Sequence, residues 1–372
     1  MKSKGESRKS KGEGGEGSES DSDSPFSRAA TVAPSSRPTS PRRASSPHVS
    51  PRRASSPVST RRAQAQRAST PSAHGVVVVG AGRLGTALAR ALAACGYDVR
   101  ALVSRRAGRA RRAVEVAGVK ALALPFARLE ELPQAELLFI TTPDDAVAEV
   151  AGRIASLKGE RVRGRVALHT SGALSSEVLA PLRARGFRVG SMHPLASVSD
   201  AAAGAESLRR AFFCVEGDGA AVASARRIVR DLGGESFSVR AEDKALYHAA
   251  ALLTAGHTVA LFDIAAALLA RCGLTPQRAR RILLPLLRST LENLSRTPPE
   301  RALTGSFARA DAQTVGKHLK ALRDAGEPES LLAYTLLGAR SLRLAAHAGA
   351  ADASALKEIA RLLAEAVGVN EE

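Results

Sequence analysis

Lys244 and His248 stand four residues apart in a segment of helical period, so they share one helix face, with Tyr247 beside them. An amine and an imidazole placed this way suit proton transfer. The imidazole titrates near neutrality, and burial lowers the proton affinity of an amine. As general acid and orienting group they could serve the reduction of a carbonyl. A charged first turn followed by a core histidine is an equally open reading. Ser171 and His193 each follow a strand-like run, in His169-Thr170-Ser171-Gly172 and His193-Pro194. They are candidates for substrate contact, or else a turn residue and a satisfied buried histidine. The sequence offers no metal-ligand cluster, no carboxylate pair and no Ser/His/Asp elbow.

A second group of residues could bind rather than react. Val76 to Val79 is a β-branched run of the kind found in buried parallel strands. Gly80-Ala81-Gly82-Arg83-Leu84-Gly85 follows at once and fits GxGxxG, ahead of an Ala/Leu-rich helical pattern and a second strand over Asp98 to Val103. This strand, glycine turn, helix and strand make a mononucleotide-binding half. Gly80 allows the tight turn, Gly82 the approach of a pyrophosphate, and Gly85 close packing of helix on strand. The helix N-terminus presents free N–H groups to the phosphates. Where NAD-preferring folds place an acid for the ribose 2′-hydroxyl, this chain has Ser104-Arg105-Arg106. Two guanidiniums and a hydroxyl suit a 2′-phosphate, which points to NADP(H). Alternatively, these arginines belong to the solvated basic run that reaches Arg112. Thr141-Thr142-Pro143-Asp144 closes another strand and is placed to line the ribose or nicotinamide, with Asp144 capping the next helix.

The elements that must position these groups alternate from Gly75 to about residue 240. Strand runs at Leu137–Thr141, Arg165–His169, Phe187–Met192, Ala211–Glu216 and Ser236–Val239 are separated by segments long enough for crossover helices. The expectation is an α/β fold: a doubly wound Rossmann-type parallel sheet over 75–240, followed by an all-helical C-terminal domain over 241–372. Within that helical domain a single long helix is expected over Asp243–Arg271, with His257 in its apolar stretch. Another starts at Thr275-Pro276 and is kinked at Pro285, and Asp311 caps a further one over Gln313–Leu322. The length of Asp243–Arg271 approaches a membrane span, but His248, His257 and Asp263 inside it favour a core or dimer helix.

Aromatic residues make up 3% and Trp is absent, so the core must be aliphatic. Cys95, Cys214 and Cys272 are far apart, with no metal or redox spacing, and their odd number argues against a disulfide framework. A reducing, cytoplasmic setting is expected. Residues 1–74 hold 14 Lys/Arg and 6 Asp/Glu, so +8 of the +18 net charge falls on this tail. Its Ser/Pro/Arg/Gly composition reads as disordered, without an apolar secretory core, and Ser40 to Pro47 recurs as Ser50 to Pro57. A solvated linker, an arm for nucleic acid or anionic surfaces, and a cluster of phosphorylatable serines are the readings of this tail. Nucleic-acid binding is the weakest, because no stacking aromatics accompany the charge.

The set GAGRLG (Gly80–Gly85), TTPDDAV (Thr141–Val147), HTSGALSSEVL (His169–Leu179), GSMHPLASVSD (Gly190–Asp200), YHAAALL (Tyr247–Leu253) and ALTGSFARADAQTVGKHLKAL (Ala302–Leu322) resembles one family. That family joins a Rossmann-like domain to a domain of unknown function, number 2520. It is similar to dehydrogenases with helical C-terminal domains, such as 6-phosphogluconate dehydrogenase, ketopantoate reductase and pyrroline-5-carboxylate reductase. The resemblance implies an NADP(H)-type cofactor, a cleft between domains and an interwoven homodimer on the helical domain. In the wider group a catalytic Lys sits on the first long helix, and Lys244 is its nearest match. Relatives tend to have Ser-Asn where this chain has Ala255-Gly256, and TGPxxRGD where it has Thr304 to Asp311. The expected function is an NADP(H)-dependent oxidoreductase for a small carbonyl, hydroxyl or imine substrate. The alternative is a non-catalytic NADP-binding sensor or scaffold.

Overall fold

The computed structural model describes residues 74–157, 165–349 and 351–368. The tail expected over 1–74 lies, His74 apart, outside them. Eight strands form one sheet: β1 (Gly75–Val79), β2 (Asp98–Ser104), β3 (Leu122–Pro125), β4 (Leu137–Ile140), β5 (Val166–His169), β6 (Arg188–Pro194), β7 (Phe212–Gly217) and β8 (Glu235–Phe237). Their order is β3-β2-β1-β4-β5-β6-β7-β8. The chain leaves β1 in one direction and returns to its other side at β4, so the topological switch lies between β1 and β4, where such sheets hold ligands. Helices α1 (Arg83–Ala94), α2 (Ala107–Ala117), α3 (Asp144–Ala155), α4 (Ala180–Ala184), α5 (Ala201–Leu208) and α6 (Gly219–Asp231) cover the two faces. This is the doubly wound Rossmann-type arrangement.

The valine run shows why β1 is central. Val76 and Val78 enter the core on one face with Leu88, Leu102 and Phe139. Val77 and Val79 enter the other with Val103, Ile140 and Val150. A strand buried on both faces needs an apolar residue at every position, not at alternate ones.

Two features of the sheet differ from the expectation. β3 was not expected: it is four residues long and ends on Pro125, which an edge strand tolerates. And the sheet is not parallel throughout, because β7 runs antiparallel to β6, with Gly190 opposite Gly217 and Pro194 opposite Phe213. The segment after β6 carries α5 against α1, so the chain re-enters the sheet from the end where β6 stops. The Leu195 N–H donates to the Phe212 carbonyl at 2.8 Å and closes this reversal.

No strand follows β8 among the described residues. The helices are α7 (Lys244–Thr254), α8 (Gly256–Arg271), α9 (Pro276–Arg296), α10 (Pro299–Ala302), α11 (Gly305–Ala308), α12 (Ala312–Asp324), α13 (Pro328–Ala348) and α14 (Ala353–Ala366). The single helix expected over Asp243–Arg271 is divided at Ala255, whose φ is −101°, ahead of Gly256, a poor helix former. Pro285 lies inside α9 without ending it. Thr275 caps α9, and Asp311 caps α12 by accepting from the Thr314 N–H at 3.0 Å. Val315, Leu319, Ile359 and Leu363 form a small core between α12 and α14.

The α7–α8 region is exposed, not a core helix. Ala241–Arg271 is long and apolar enough to cross a membrane, with mean hydropathy 1.7, and its most apolar stretch is not buried within the chain. Leu246, Leu253 and Val259 are 73%, 62% and 70% exposed.

Candidate active site

The glycine turn sits at the C-terminal end of β1. Gly80 has φ +116°, a conformation that L side chains rarely adopt, and a Cβ there would lie 2.6 Å from the Thr141 carbonyl carbon. A Cβ on Gly85 would overlap the Gly80 carbonyl oxygen and Thr141 Oγ1. Thr141 Oγ1 donates to that same oxygen at 2.8 Å, so β4 fastens the turn to the sheet. Gly82 differs: the nearest atom to a Cβ there is 3.9 Å away, so no contact within the chain requires a glycine. Gly82 is the N-cap of α1; no side chain caps this helix, and no acid lies in its first turn. Ala81 is buried, Leu84 half-buried, and Arg83 exposed with a long contact to the Ser199 carbonyl.

Ser104 ends β2 beside this turn and is buried, while Arg105 and Arg106 are exposed. Thr142 Oγ1 is buried and has no hydrogen-bond partner among the described residues. Asp144 does not cap α3 as expected. Pro143 is the N-cap residue and Asp144 the first residue of the helix, where its charge complements the helix dipole.

The second cluster lies at the ends of β5 and β6, under α7. Lys244 is 1% exposed. Its Nζ donates to Ser191 Oγ at 2.7 Å and to the Ser171 carbonyl at 3.2 Å. Burial lowers its pKa, against the raising fields of Cys214, Glu216 and Asp144. The Ser171 hydroxyl accepts from the Ala173 and Leu174 N–H groups at 3.2 and 3.0 Å, so it builds the turn while its carbonyl holds Lys244. His169 is fully buried between the Ser171 N–H, which donates to Nδ1, and the Ser175 carbonyl, which accepts from Nε2. Burial, then the Lys244 charge, push its pKa down to about 4.

His193 and His248 complete the cluster. Their rings meet edge to face at 5.3 Å. His193 Nδ1 pairs with Tyr247 Oη at 2.6 Å, and its pKa falls to about 3, through burial and then the neighbouring Lys244. Burial, and then the neighbouring Cys214, raise the Tyr247 pKa, so the phenol keeps its proton, with His193 Nδ1 and the Cys214 thiol both in reach of it. Gly172 is the hinge of the packing: a Cβ there would lie 2.9 Å from His193 Nε2 and closer still to His248 Nδ1. His248 Nδ1 is buried against it with no hydrogen-bond partner among the described residues. Alongside, a cavity of about 590 Å³ opens between the end of β6, Phe237 and α7, lined by His193, Tyr247 and His248.

The Rossmann-like domain model matches residues 55–194, and the model of the domain of unknown function DUF2520 matches residues 211–341. The chain belongs to the Rossmann-like plus DUF2520 family. In this member the DUF2520 region begins before β7, so it supplies the last two strands of the sheet as well as α7. Solved structures share the fold, among them three of the most similar. One, from Bacteroides fragilis and provisionally designated an NADP oxidoreductase, is 24% identical with a TM-score of 0.58, covering 72% of this chain and 97% of that one. A Thermotoga maritima protein is 24% identical with a TM-score of 0.57, covering 73% and 98%. A Pseudomonas putida protein, provisionally designated an oxidoreductase, is 21% identical with a TM-score of 0.50, covering 77% and 97%. No curated protein shows a significant match.

Of the sequence candidates, Lys244, His248, His193 and Ser171 come together in this DUF2520 chain, and the glycine turn, Ser104-Arg105-Arg106 and Thr141-Thr142 gather along the same rim of the sheet. His257 is exposed on α8, outside both groups. Sequence reasoning missed Ser191, the hydrogen-bond partner of Lys244, and gave Tyr247 no task. The one signal for Ser191 was a polar residue within a strand that is otherwise buried.

Proposed function

We propose that the chain is an NADP(H)-dependent oxidoreductase acting on a small carbonyl, hydroxyl or imine compound. The observation that carries this is one rim of one sheet holding both an uncapped glycine turn flanked by two exposed arginines and a buried Lys244 beside two imidazoles. The residues fit the cofactor. Gly82 is free of any packing constraint, α1 opens without cap or acid, and Thr142 Oγ1 is a buried polar atom without a partner among the described residues. Gly82 and the first turn of α1 would hold the pyrophosphate, and Arg105 and Arg106 the 2′-phosphate. The designation carried by the Bacteroides fragilis relative agrees with this reading.

The bound cofactor supplies or accepts hydride. The chain's own residues do the rest. His193, neutral and with Tyr247 on Nδ1, presents Nε2–H as a donor to a substrate oxygen or nitrogen. A neutral imidazole polarises such an atom without the desolvation cost of a buried cation. Lys244 holds the ends of β5 and β6 together through Ser171 and Ser191, and burial, reinforced by its field, keeps both His169 and His193 unprotonated. The second reading, cofactor binding without turnover, is favoured by the α7–α8 junction, where Ala255 lines the cavity and Gly256 follows it without a polar side chain. A second copy of the chain is proposed to cover the apolar face of α7 and α8, and a sedimentation mass of one chain would remove that proposal.

The cofactor assignment is tested by binding. NADPH is expected to bind at least about tenfold tighter than NADH, since a charge-assisted contact contributes about 1.5–3 kcal/mol. Arg105→Ala with Arg106→Ala should erase the difference while leaving NADH binding in place. Equal affinities in the unaltered chain would refute the NADP(H) assignment.

A further inference from the structure

The cavity beside His193 carries information about what enters it. None of its lining residues is Asp, Glu, Lys or Arg. The walls are aliphatic and aromatic, from Leu195, Phe237, Ala251, Leu252 and Ala255. Two of the polar groups in the lining are already engaged: Thr254 Oγ1 donates to the Ala250 carbonyl at 3.1 Å, and Tyr247 Oη pairs with His193. His193 Nε2 accepts or donates no hydrogen bond among the described residues. Lys244 is the cation nearest in sequence, but it does not line the cavity. Its Nζ lies 5.8 Å from the centre of the Tyr247 ring, on the β5–β6 side, with its bonds directed at Ser191 and Ser171.

Leu195 and Leu252 are 39% and 46% exposed, so the space is open to water on one side; a carboxylate seated against His193 would give up part of its hydration and gain no charged partner from this chain. A single uncharged acceptor on a hydrocarbon body loses little and gains one hydrogen bond. The volume of about 590 Å³ is within the roughly 300–1,000 Å³ range of small-molecule sites. We propose that the substrate is an uncharged, mainly apolar aldehyde or ketone, and not a keto acid or an amino acid. Its carbonyl oxygen lies at His193 Nε2 and its hydrocarbon part against Leu195, Phe237 and Leu252. The inference rests on the oxidoreductase reading above. In the reaction, the carbonyl carbon gains a hydride from NADPH, the C=O π bond breaks towards oxygen, and the oxygen gains a proton that comes from water through His193. The products are an alcohol and NADP⁺.

The test uses the full chain and a matched pair: 2-octanone against 2-oxooctanoate, with NADPH consumption as the readout. The ketone is expected to be favoured at least about 100-fold in kcat/KM, the scale on which unpaired buried polar groups discriminate. A second pair, octanamide against octanoate, reads binding alone by thermal shift, with and without NADP⁺. Stabilisation by octanamide only supports the inference. Stabilisation by octanoate as strongly, binding of neither, or a keto acid turned over as well as the ketone overturns it. Ala251→Arg should shift the binding preference towards octanoate. If NADPH itself fails to bind, the oxidoreductase reading falls, while the amide and acid pair still decides whether the cavity excludes charge.

Discussion

The two halves of the rim are built by different means. At β1, β2 and β4 the site is made of backbone: a glycine turn, a helix N-terminus and a β4 threonine that fastens the turn. Under α7 it is made of side chains that meet across long stretches of sequence. Lys244 reaches Ser171 and Ser191, and Tyr247 reaches His193. A backbone site tolerates change at its rim and fails at its glycines. A side-chain site depends on the fit of several groups packed against one small residue, Gly172.

The difference can be broken most sharply at Gly85. Gly85→Val would drive a side chain into the Gly80 carbonyl and Thr141. A loss of NADPH affinity of at least about 100-fold is expected in fluorescence titration, from displacement of the whole turn. Retained affinity would mean that the turn is not the cofactor site.

Acid should strike the side-chain half. His169 and His193 bind protons less well in the folded chain than in the unfolded one, at about 4 and about 3 against 6.5. Stability is therefore unaffected by them above about pH 6.5. It falls as pH drops from there, towards about 4 for His169 and about 3 for His193, because the unfolded state takes up protons first. The His169 share is on the order of 3 kcal/mol. Urea midpoints measured across that range check it, and His169→Asn should flatten the profile; an unchanged profile in that variant would remove His169 from the account.

Gly172→Ala is the next in size. The added methyl meets His248 and His193, and a destabilisation of about 1–3 kcal/mol is expected from overpacking. NADPH binding should persist, since the glycine turn is elsewhere; loss of both would show that the two halves are coupled. The smallest effect is expected at Lys244→Met. It removes a buried charge but also the donor that joins Ser171 to Ser191, so the two effects oppose and the melting temperature should change little while turnover is lost. A fall in stability with unchanged turnover would make Lys244 a packing residue only.

Much of the fold was legible in the chain. The valine run at 76–79 announced a doubly buried strand, and Thr275-Pro276 and Asp311 announced helix starts, because each depends on local backbone chemistry. β3 was too short and too weakly patterned to read. The reversal at β7 depends on where α5 packs, which no local pattern encodes.

The same division runs through the site. Sequence alone determined the glycine turn, since the positive φ of Gly80 and the close approaches at Gly80 and Gly85 demand glycine at fixed spacing, and it showed two arginines directly after the second strand. It placed Lys244 and His248 on one helix face but left open what that face meets. Only the tertiary structure decided that Lys244 is buried on Ser191, that Tyr247 meets His193 at Nδ1, and that Gly172 makes room for both imidazoles. Those facts depend on how α7 docks across the ends of β5 and β6, more than fifty residues away in the chain.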